Sequence, residues 1–538
     1  MHKRLVAGAT ATAVGLLLAG CAATPEAITA VELRSHAEDQ KARLGHAGDV
    51  DPVQGPIDLY EAMARALKHN MKHRVAVMET ALAAGETELA RHDLLPALTV
   101  RAGLDGRNNY TGSFSRPLLA SDEAGPRGTT ADTSQELTHA TANLTLSWNV
   151  LDFGLSYIRA RQAADKQLIA EENRRKAANR LIEQVRSAYW RAVSADRLRR
   201  QFRRLDGSAN GALRRSRQQQ RDGVVAPVTA LTYQRELLDI KKQITKLTAG
   251  LAIAKAELAQ LMGLKPGTHF HLKVPARFKA LPNLGASLEE MSDIGLRNRP
   301  EVRELIYRHR INAKEANAAL LELLPTAQLH IGANVDTNDL LFNGDWIDFG
   351  ARTAWNAMRI LRYPQKKRVI EAKAGVIREE ALATSMMIVT QIRVARIRYG
   401  LLRRELKATN GYYRVQRQLL QQVRSQQAAG ALGEQAVIRE RMNLLVARVK
   451  RDIVYADYQN ALAAVFWSMG IDPYDADLST EQPLQVMADD LRSLWAHGRH
   501  PDRRDLRRGR QTASLSQASL LGRSGAGPRA KAVARVRR

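Results

Sequence analysis

The chain has 538 residues, 45% of them apolar but only 5% aromatic, with 82 Lys/Arg against 55 Asp/Glu, a net charge of +27 and one cysteine. A lone cysteine excludes a disulfide scaffold and a cysteine-built metal centre. No run of 18 or more consecutive apolar residues occurs, which excludes a membrane-spanning helix.

Met1-His2-Lys3-Arg4 is a positive start, Leu5 to Leu18 is a short apolar stretch, and residues 1–20 read as a secretory signal. Leu18-Ala19-Gly20-Cys21 resembles a bacterial lipobox, which implies acylation of Cys21 as the mature N-terminus; the plainer alternative is a free buried cysteine. Two or more acyl chains make such an anchor stable. Ala22, rather than Asp, resembles lipoproteins sent on to the outer membrane. Residues 21–56 form a polar, weakly helical leader.

From residue 57 the chain says nearly the same thing twice. Leu59 and Pro96 recur 229 residues later as Leu288 and Pro325. Trp148, Gly223 and Gly263 recur 207 residues later as Trp355, Gly430 and Gly470. The lost 22 residues fall between Arg107 and Thr141, a Gly/Ser/Thr-rich stretch that reads as a loop. The period is too long for a solenoid, so each copy is a domain-sized unit. The copies span 57–280 and 281–473.

In the first copy, Asp58 to Leu94 is helical, with Leu59, Met63, Ala66, Leu67, Val75 and Ala76 at three-four spacing. Pro96 ends it. Alternation then signals strands at about 97–105 and 141–150: Val100, Ala102 and Leu104 share one face, as do Leu144, Leu146 and Trp148. In the second copy Leu329, Ile331, Ala333 and Val335 alternate with Gln328, His330, Gly332 and Asn334, giving strands at about 327–336 and 348–358. A sheet apolar on one side and wet on the other suits a membrane β-barrel wall.

Long arms follow, at about 156–263 and 365–470. Ile388, Ile392, Ala395, Tyr399, Leu402 and Leu406 repeat at four and three residues, the first five matching Leu181, Val185, Ala188, Ala192 and Ala195 in the first copy. Such a 3.5-residue period is coiled-coil packing. A helix of this length would run to roughly 100 Å, far beyond what a globular core needs. Gly207 and Gly211 are expected to loosen the first arm midway. The arms turn at Gly223-Val224-Val225-Ala226 and at Gly430-Ala431-Leu432-Gly433. Arg174, Arg175, Arg180, Arg186, Arg197, Arg199 and Arg200 read as a basic face, solvated or lining a cationic lumen that favours anions. Residues 474–538 read as a basic, disordered tail; from Arg492 on it holds thirteen Lys/Arg and two Asp.

Several short motifs fall in a familiar order. They are Leu59-Tyr60-Glu61-Ala62 with Ala66-Leu67-Lys68-His69-Asn70, Leu94-Leu95-Pro96, Trp148-Asn149-Val150-Leu151-Asp152-Phe153-Gly154, and Leu261-Met262-Gly263. The second copy has Arg297-Asn298-Arg299-Pro300-Glu301, Leu324-Pro325 and Ser468-Met469-Gly470. Over residues 57–473 the chain resembles the TolC family of outer-membrane efflux and secretion channels, in its lipoprotein branch.

The resemblance implies a mixed, mainly α fold: two tandem copies of helix, β-hairpin and long coiled-coil α-hairpin. Three subunits would form a 12-stranded outer-membrane β-barrel continued by a periplasmic α-barrel. It also implies a passive conduit partnered by a periplasmic adaptor and an inner-membrane transporter. The tips Gly223 to Ala226 and Gly430 to Gly433 would meet the adaptor. The family's acidic entrance residues are not reproduced: the offsets past the second tip fall on Ala436 and Arg439, with Glu434 and Glu440 beside them, and Thr229 follows the first tip. Thr229, Glu434, Arg439 and Glu440 are the candidate periplasmic entrance.

Catalytic and cofactor signals are absent. No phosphate loop or nucleophile elbow appears, and the carboxylates lie along charged helices. His69/His73 and His497/His500 lack a third metal partner and read as solvated pairs. The signal sequence argues against a nucleic-acid role for the charge. The rival function is a lipid-anchored periplasmic coiled-coil spacer without a pore, which would have no use for alternating strands.

Overall fold

The computed structural model describes residues 27–47, 51–114, 126, 128–265, 267–275, 284–472, 474 and 480–496. The signal sequence, Cys21 and His497/His500 lie outside the described residues. In chain order the elements are α1 (Ala30–Ala47), α2 (Leu59–His69), α3 (Met71–His92), β1 (Ala97–Gly106), β2 (Thr138–Asn149), α4 (Val150–Arg221) and α5 (Pro227–Leu261). Then come α6 (Leu288–Asn298), α7 (Pro300–Leu321), β3 (Thr326–Asp336), β4 (Asp345–Ala354), α8 (Met358–Ala428), α9 (Glu434–Ser468) and α10 (Leu484–Ala496).

The fold is mainly helical, with one antiparallel sheet in the order β1-β2-β3-β4. Each copy contributes one hairpin, and β2 pairs with β3 to join them, Leu146 opposite Ile331. The long helices α4 and α8 have 72 and 71 residues, so each runs roughly 110 Å. Shorter helices line them. Near the sheet α3 packs on α4, and α7 packs on both α4 and α8. Towards the tips α5 packs on α4, and α9 on both α8 and α4.

The seams fill as their periodicity requires. Ile388, Ile392, Ala395 and Tyr399 of α8 are buried against Tyr458, Ala461, Leu462 and Val465 of α9. Leu181, Val185, Ala188 and Ala192 are buried in the matching first-copy core with α2. The Tyr399 and Tyr458 rings stack at 5.0 Å, and the Tyr458 hydroxyl donates to that of Tyr399. Burial raises the Tyr399 phenol well above its ordinary range.

Several expectations need correction. The helix drawn over 58–94 breaks at Asn70, whose side chain caps α3 by accepting from the backbone of Lys72 and His73 at 3.1 and 3.2 Å. Asp58 does the same for α2. Gly207 and Gly211 do not interrupt α4, which is continuous to Arg221. Ala209 and Ala212 between and beside them are fully buried, so packing outweighs the roughly 1 kcal/mol helix penalty of each glycine. Helix α8 starts at Met358, not near 365, and carries Pro364 inside; one missing backbone donor near an end costs least. The fourth strand lies at 345–354, three to four residues before its expected place, because Asp345 pairs opposite Val335.

The largest correction concerns the tail. Residues 474–496 are not all disordered: Tyr474 and α10 belong to the first-copy core. Leu484, Met487, Ala488 and Leu491 are buried among Ala62, Met63 and Ala66 of α2. Each buried Leu or Met contributes about 2 kcal/mol. Arg492 reaches the Asp58 carboxylate at 2.8 Å, so α10 clasps the start of α2.

A buried charge lies under this clasp. Arg186 is 2% exposed, its ring-side neighbour is Trp495 at 4.1 Å, and among the described residues its only hydrogen bond runs to the Gln459 carbonyl at 3.5 Å. Burial pushes its pKa down to about 10. A guanidinium without a carboxylate costs folding energy. Arg186→Met is therefore expected to stabilise the protein by on the order of 1 kcal/mol, seen as a raised thermal midpoint; a lowered midpoint would show that stacking on Trp495 outweighs desolvation.

Candidate functional site

Three regions could serve a conduit: the sheet, the arm tips and the subunit's lateral edges. The sheet has two chemically distinct faces. Leu98, Val100, Leu144, Leu146, Ile331 and Phe349 fall on one face by register. The other carries Arg101, His139, Asn143, His330, Asn334, Asp336 and Asp348. On that polar face His330 Nε2 lies 3.2 Å from Asp348, and His139 Nε2 lies 4.0 Å from Asp336. Asn334 donates to Asp348. Near the helical end, Trp148 meets Phe153 edge-on at 5.5 Å, and Trp355 Nε1 donates to the Leu323 carbonyl. One apolar face, one polar face and aromatic residues at the rim is the pattern of a barrel wall in lipid.

The tips hold the candidate adaptor and entrance residues. Gly223 and Gly430 adopt φ +68° and +75°, the left-handed conformation that glycine takes without strain. Val224 is exposed and Ala226 precedes Pro227, the first residue of α5. Ala431 and Gly433 are exposed, whereas Leu432 turns inward against Leu420, Val423 and Val437. Thr229 is exposed. Glu434 pairs with Arg215, Arg439 reaches Glu236 at 2.8 Å, and Glu440 accepts from Gln416 and from Asn443 at 3.2 Å. Gln435 also donates to Glu236, at 2.8 Å.

Two of the candidate entrance residues thus form cross-ties: Arg215–Glu434 and Arg439–Glu236 join the first arm pair to the second. Sequence reasoning missed Glu236 and Arg215, which lie outside any motif. Exposed pairs of this kind contribute about 0–1 kcal/mol each. Glu236→Lys is expected to speed amide exchange over residues 434–440 roughly fivefold and leave the sheet unchanged; unchanged exchange at the tip would show the ties to be idle.

The basic face is only partly a surface. Of its seven arginines, Arg180, Arg199 and Arg200 are exposed and Arg186 is buried. Arg175 pairs with Glu172 and Asp472, and Arg197 with Asp452. The histidine pair also differs from expectation. His69 Nε2 meets Asp51 at 2.8 Å, while His73 is buried with Nδ1 at 2.7 Å from the Leu67 carbonyl. Burial holds both imidazoles below their ordinary pKa. They are neither solvated nor convergent. Among the described residues no cluster of three His, Cys, Asp or Glu could hold a metal ion, and no helix is long and apolar enough to cross a membrane.

The lateral edges were not anticipated. Strands β1 and β4 end the sheet on opposite sides. Helices α3 and α5 pack on only one long partner, α4; α8 is the outermost helix at the other side. Both edges carry exposed apolar side chains. On α3, Met71, Val75, Met78, Leu82 and Leu89 follow a heptad-like seam and touch solvent. On α8, Val394, Ile397 and Leu401, then Tyr412, Val415 and Leu419, repeat at three and four residues and are likewise exposed. On α8 the stronger buried seam of Ile388, Ile392, Ala395 and Tyr399 masked the sequence signal for the exposed one.

Known proteins share this arrangement. Residues 62–264 match the model of the outer membrane efflux protein family. No curated protein matches the chain. Among solved structures, the Campylobacter jejuni CmeC outer membrane channel superposes with a TM-score of 0.60 at 16% identity, covering 80% of this chain and 89% of that one. The outer-membrane channel OprN gives 0.59 at 17% identity, covering 77% and 89%. The open-state Neisseria gonorrhoeae MtrE outer membrane channel gives 0.56 at 16%, also covering 77% and 89%. At such identities the likeness is one of fold.

Proposed function

We propose that the chain, whose residues 62–264 match the outer membrane efflux protein family model, forms the outer-membrane conduit of a tripartite efflux or secretion system. Three copies close a 12-stranded barrel and an α-helical tube beneath it. The tube tips meet a periplasmic adaptor at Gly223 to Ala226 and Gly430 to Gly433, and the adaptor links them to an inner-membrane transporter. Acylated Cys21 anchors each subunit to the outer membrane. Cargo passes through without chemistry.

The observation that carries this reading is the pair of open edges at every level of one subunit. Sheet edges in lipid leave backbone groups unpaired at several kcal/mol each, so β1 must find a β4. Since the two edges differ, the contact is heterologous, and a heterologous contact that closes makes a ring. The seams on α3 and α8 repeat the same asymmetry along the helical part. Three subunits supply twelve strands, an even number within the range of membrane barrels.

Against the spacer reading stand exposed Val100, Ile331 and Phe349 on one face of the sheet, which have no use in an aqueous periplasm. Planar-bilayer recording separates the two. The conduit reading expects ion conductance from purified protein, lost when 99–104 are deleted from β1 while helical dichroism persists. Well-folded protein that never conducts would favour the spacer.

A further inference from the structure

Between the middle of α4, the end of α9 and the clasping helix α10 lies a cavity of about 40 Å³ that opens to solvent, so a ligand's stem can extend beyond it. It is at neither lateral edge nor tip, so the conduit reading does not use it. Its walls are aromatic: Phe466, Trp467 and Trp495, with Phe466 and Trp495 edge-to-face at 6.4 Å.

Two oxygen acceptors one helical turn apart on α4 line it. Asn179 is 3% exposed, and its Oδ1 has no hydrogen-bond partner; its Nδ2 donates to Asp472 at 2.7 Å, which fixes the carbonyl's placement. An unmade hydrogen bond at a buried carbonyl costs about 1–3 kcal/mol. Glu183 is half-buried and makes no hydrogen bond or ion pair to any described residue. Burial raises its pKa, against the opposing fields of Arg180 and Arg398. Asp472, also at the wall, is already engaged by Arg175 and Asn179.

An unpaired carboxylate and an orphan carbonyl beside indole rings call for a donor-bearing cation with an apolar stem. Both indoles already accept cations: Arg186 lies 4.1 Å from the centre of the Trp495 ring, and Arg299 lies 4.4 Å from that of Trp467. The two Glu183 carboxylate oxygens and Asn179 Oδ1 match the three donors of a primary ammonium, whereas two of a guanidinium's five donors would be left unpaired. We propose that this cavity is a binding site for primary alkylammonium ions, with Glu183 and Asn179 Oδ1 taking the ammonium and Trp495, Trp467 and Phe466 the alkyl stem.

The test is titration of the full-length protein in non-ionic detergent with hexylammonium, followed by tryptophan fluorescence, with hexanol and hexanoate as controls. The expected result is saturable binding of hexylammonium alone, weakened tenfold or more in Glu183→Gln and abolished in Ala463→Phe, which fills the cavity from α9. Thermal midpoints of both variants without ligand verify folding. Equal binding by Glu183→Gln, equal binding of hexanol, or no saturable response overturns the proposal. Hexylammonium binding only after removal of residues 497–538 would also overturn it, showing that the chain's own basic end fills the site. None of these results bears on conductance, so the site and the conduit reading stand or fall separately.

Discussion

Gly470→Ala is expected to destabilise the protein by about 2–5 kcal/mol and to lower the yield of assembled protein sharply. Gly470 has φ +68°, a conformation that costs an L-residue about 1–2 kcal/mol. A Cβ there would also stand 2.7 Å from the Arg299 nitrogen and the Asn298 carbonyl carbon. Both are backbone atoms, which cannot rotate aside. The junction is already taut. Arg299, 1% exposed, holds Glu301 through two hydrogen bonds of 2.9 and 3.0 Å, Gln391 at 3.1 Å and the Trp467 ring.

The first copy repeats the device with other chemistry. Gly263 has φ +70°, and its Cβ would sit 2.7 Å from the His69 carbonyl oxygen. Asn70 takes the place of Arg299 and donates to the Leu261 carbonyl at 3.1 Å. Gly263→Ala is expected to cost as much as Gly470→Ala. Gly430→Ala supplies the control, since nothing lies within 4 Å of its Cβ position and only the conformational term remains. Thermal melts of the three variants check the ranking; a Gly430→Ala loss equal to that of Gly470→Ala would contradict the close-approach argument.

Leu82→Asp on α3, or Val415→Asp on α8, is expected to weaken subunit association at least a hundredfold. Burial of each side chain at a ring contact contributes about 2–3 kcal/mol, and an unpaired carboxylate in its place adds a desolvation cost. A ring repeats the loss at every contact. Both side chains are mostly exposed within their own subunit, at 64% and 62%, so helical dichroism of the subunit should survive. Sedimentation in detergent reads the outcome; full assembly by both variants would show that the exposed seams are not the contacts.

The fold was largely legible because the signals were periodic and came twice. Alternation at Leu144, Leu146 and Trp148 marks a strand whatever its neighbours, and Ile388, Ile392, Ala395 and Tyr399 mark a packed seam without reference to a partner. Context-dependent features were not legible. Asn70 breaks a helix because its side chain caps the next one, and periodicity runs straight through it. Gly207 and Gly211 look like breakers, yet the burial of Ala209 keeps the helix whole. Helix α10 was lost in the charge of the chain's end, although Leu484, Met487 and Leu491 already have helical spacing. At the candidate entrance, Glu434 and Arg439 were named by offset alone; their partners Arg215 and Glu236 lie on the other arm pair, a relation that only three dimensions supply.

The number of subunits in the assembled particle tests the account most directly. Native mass spectrometry of detergent-purified protein is expected to find three copies, since two unlike edges on a four-stranded subunit then close a twelve-stranded barrel. A stable monomer with free β1 and β4 edges, or an open-ended series of larger particles, would contradict it.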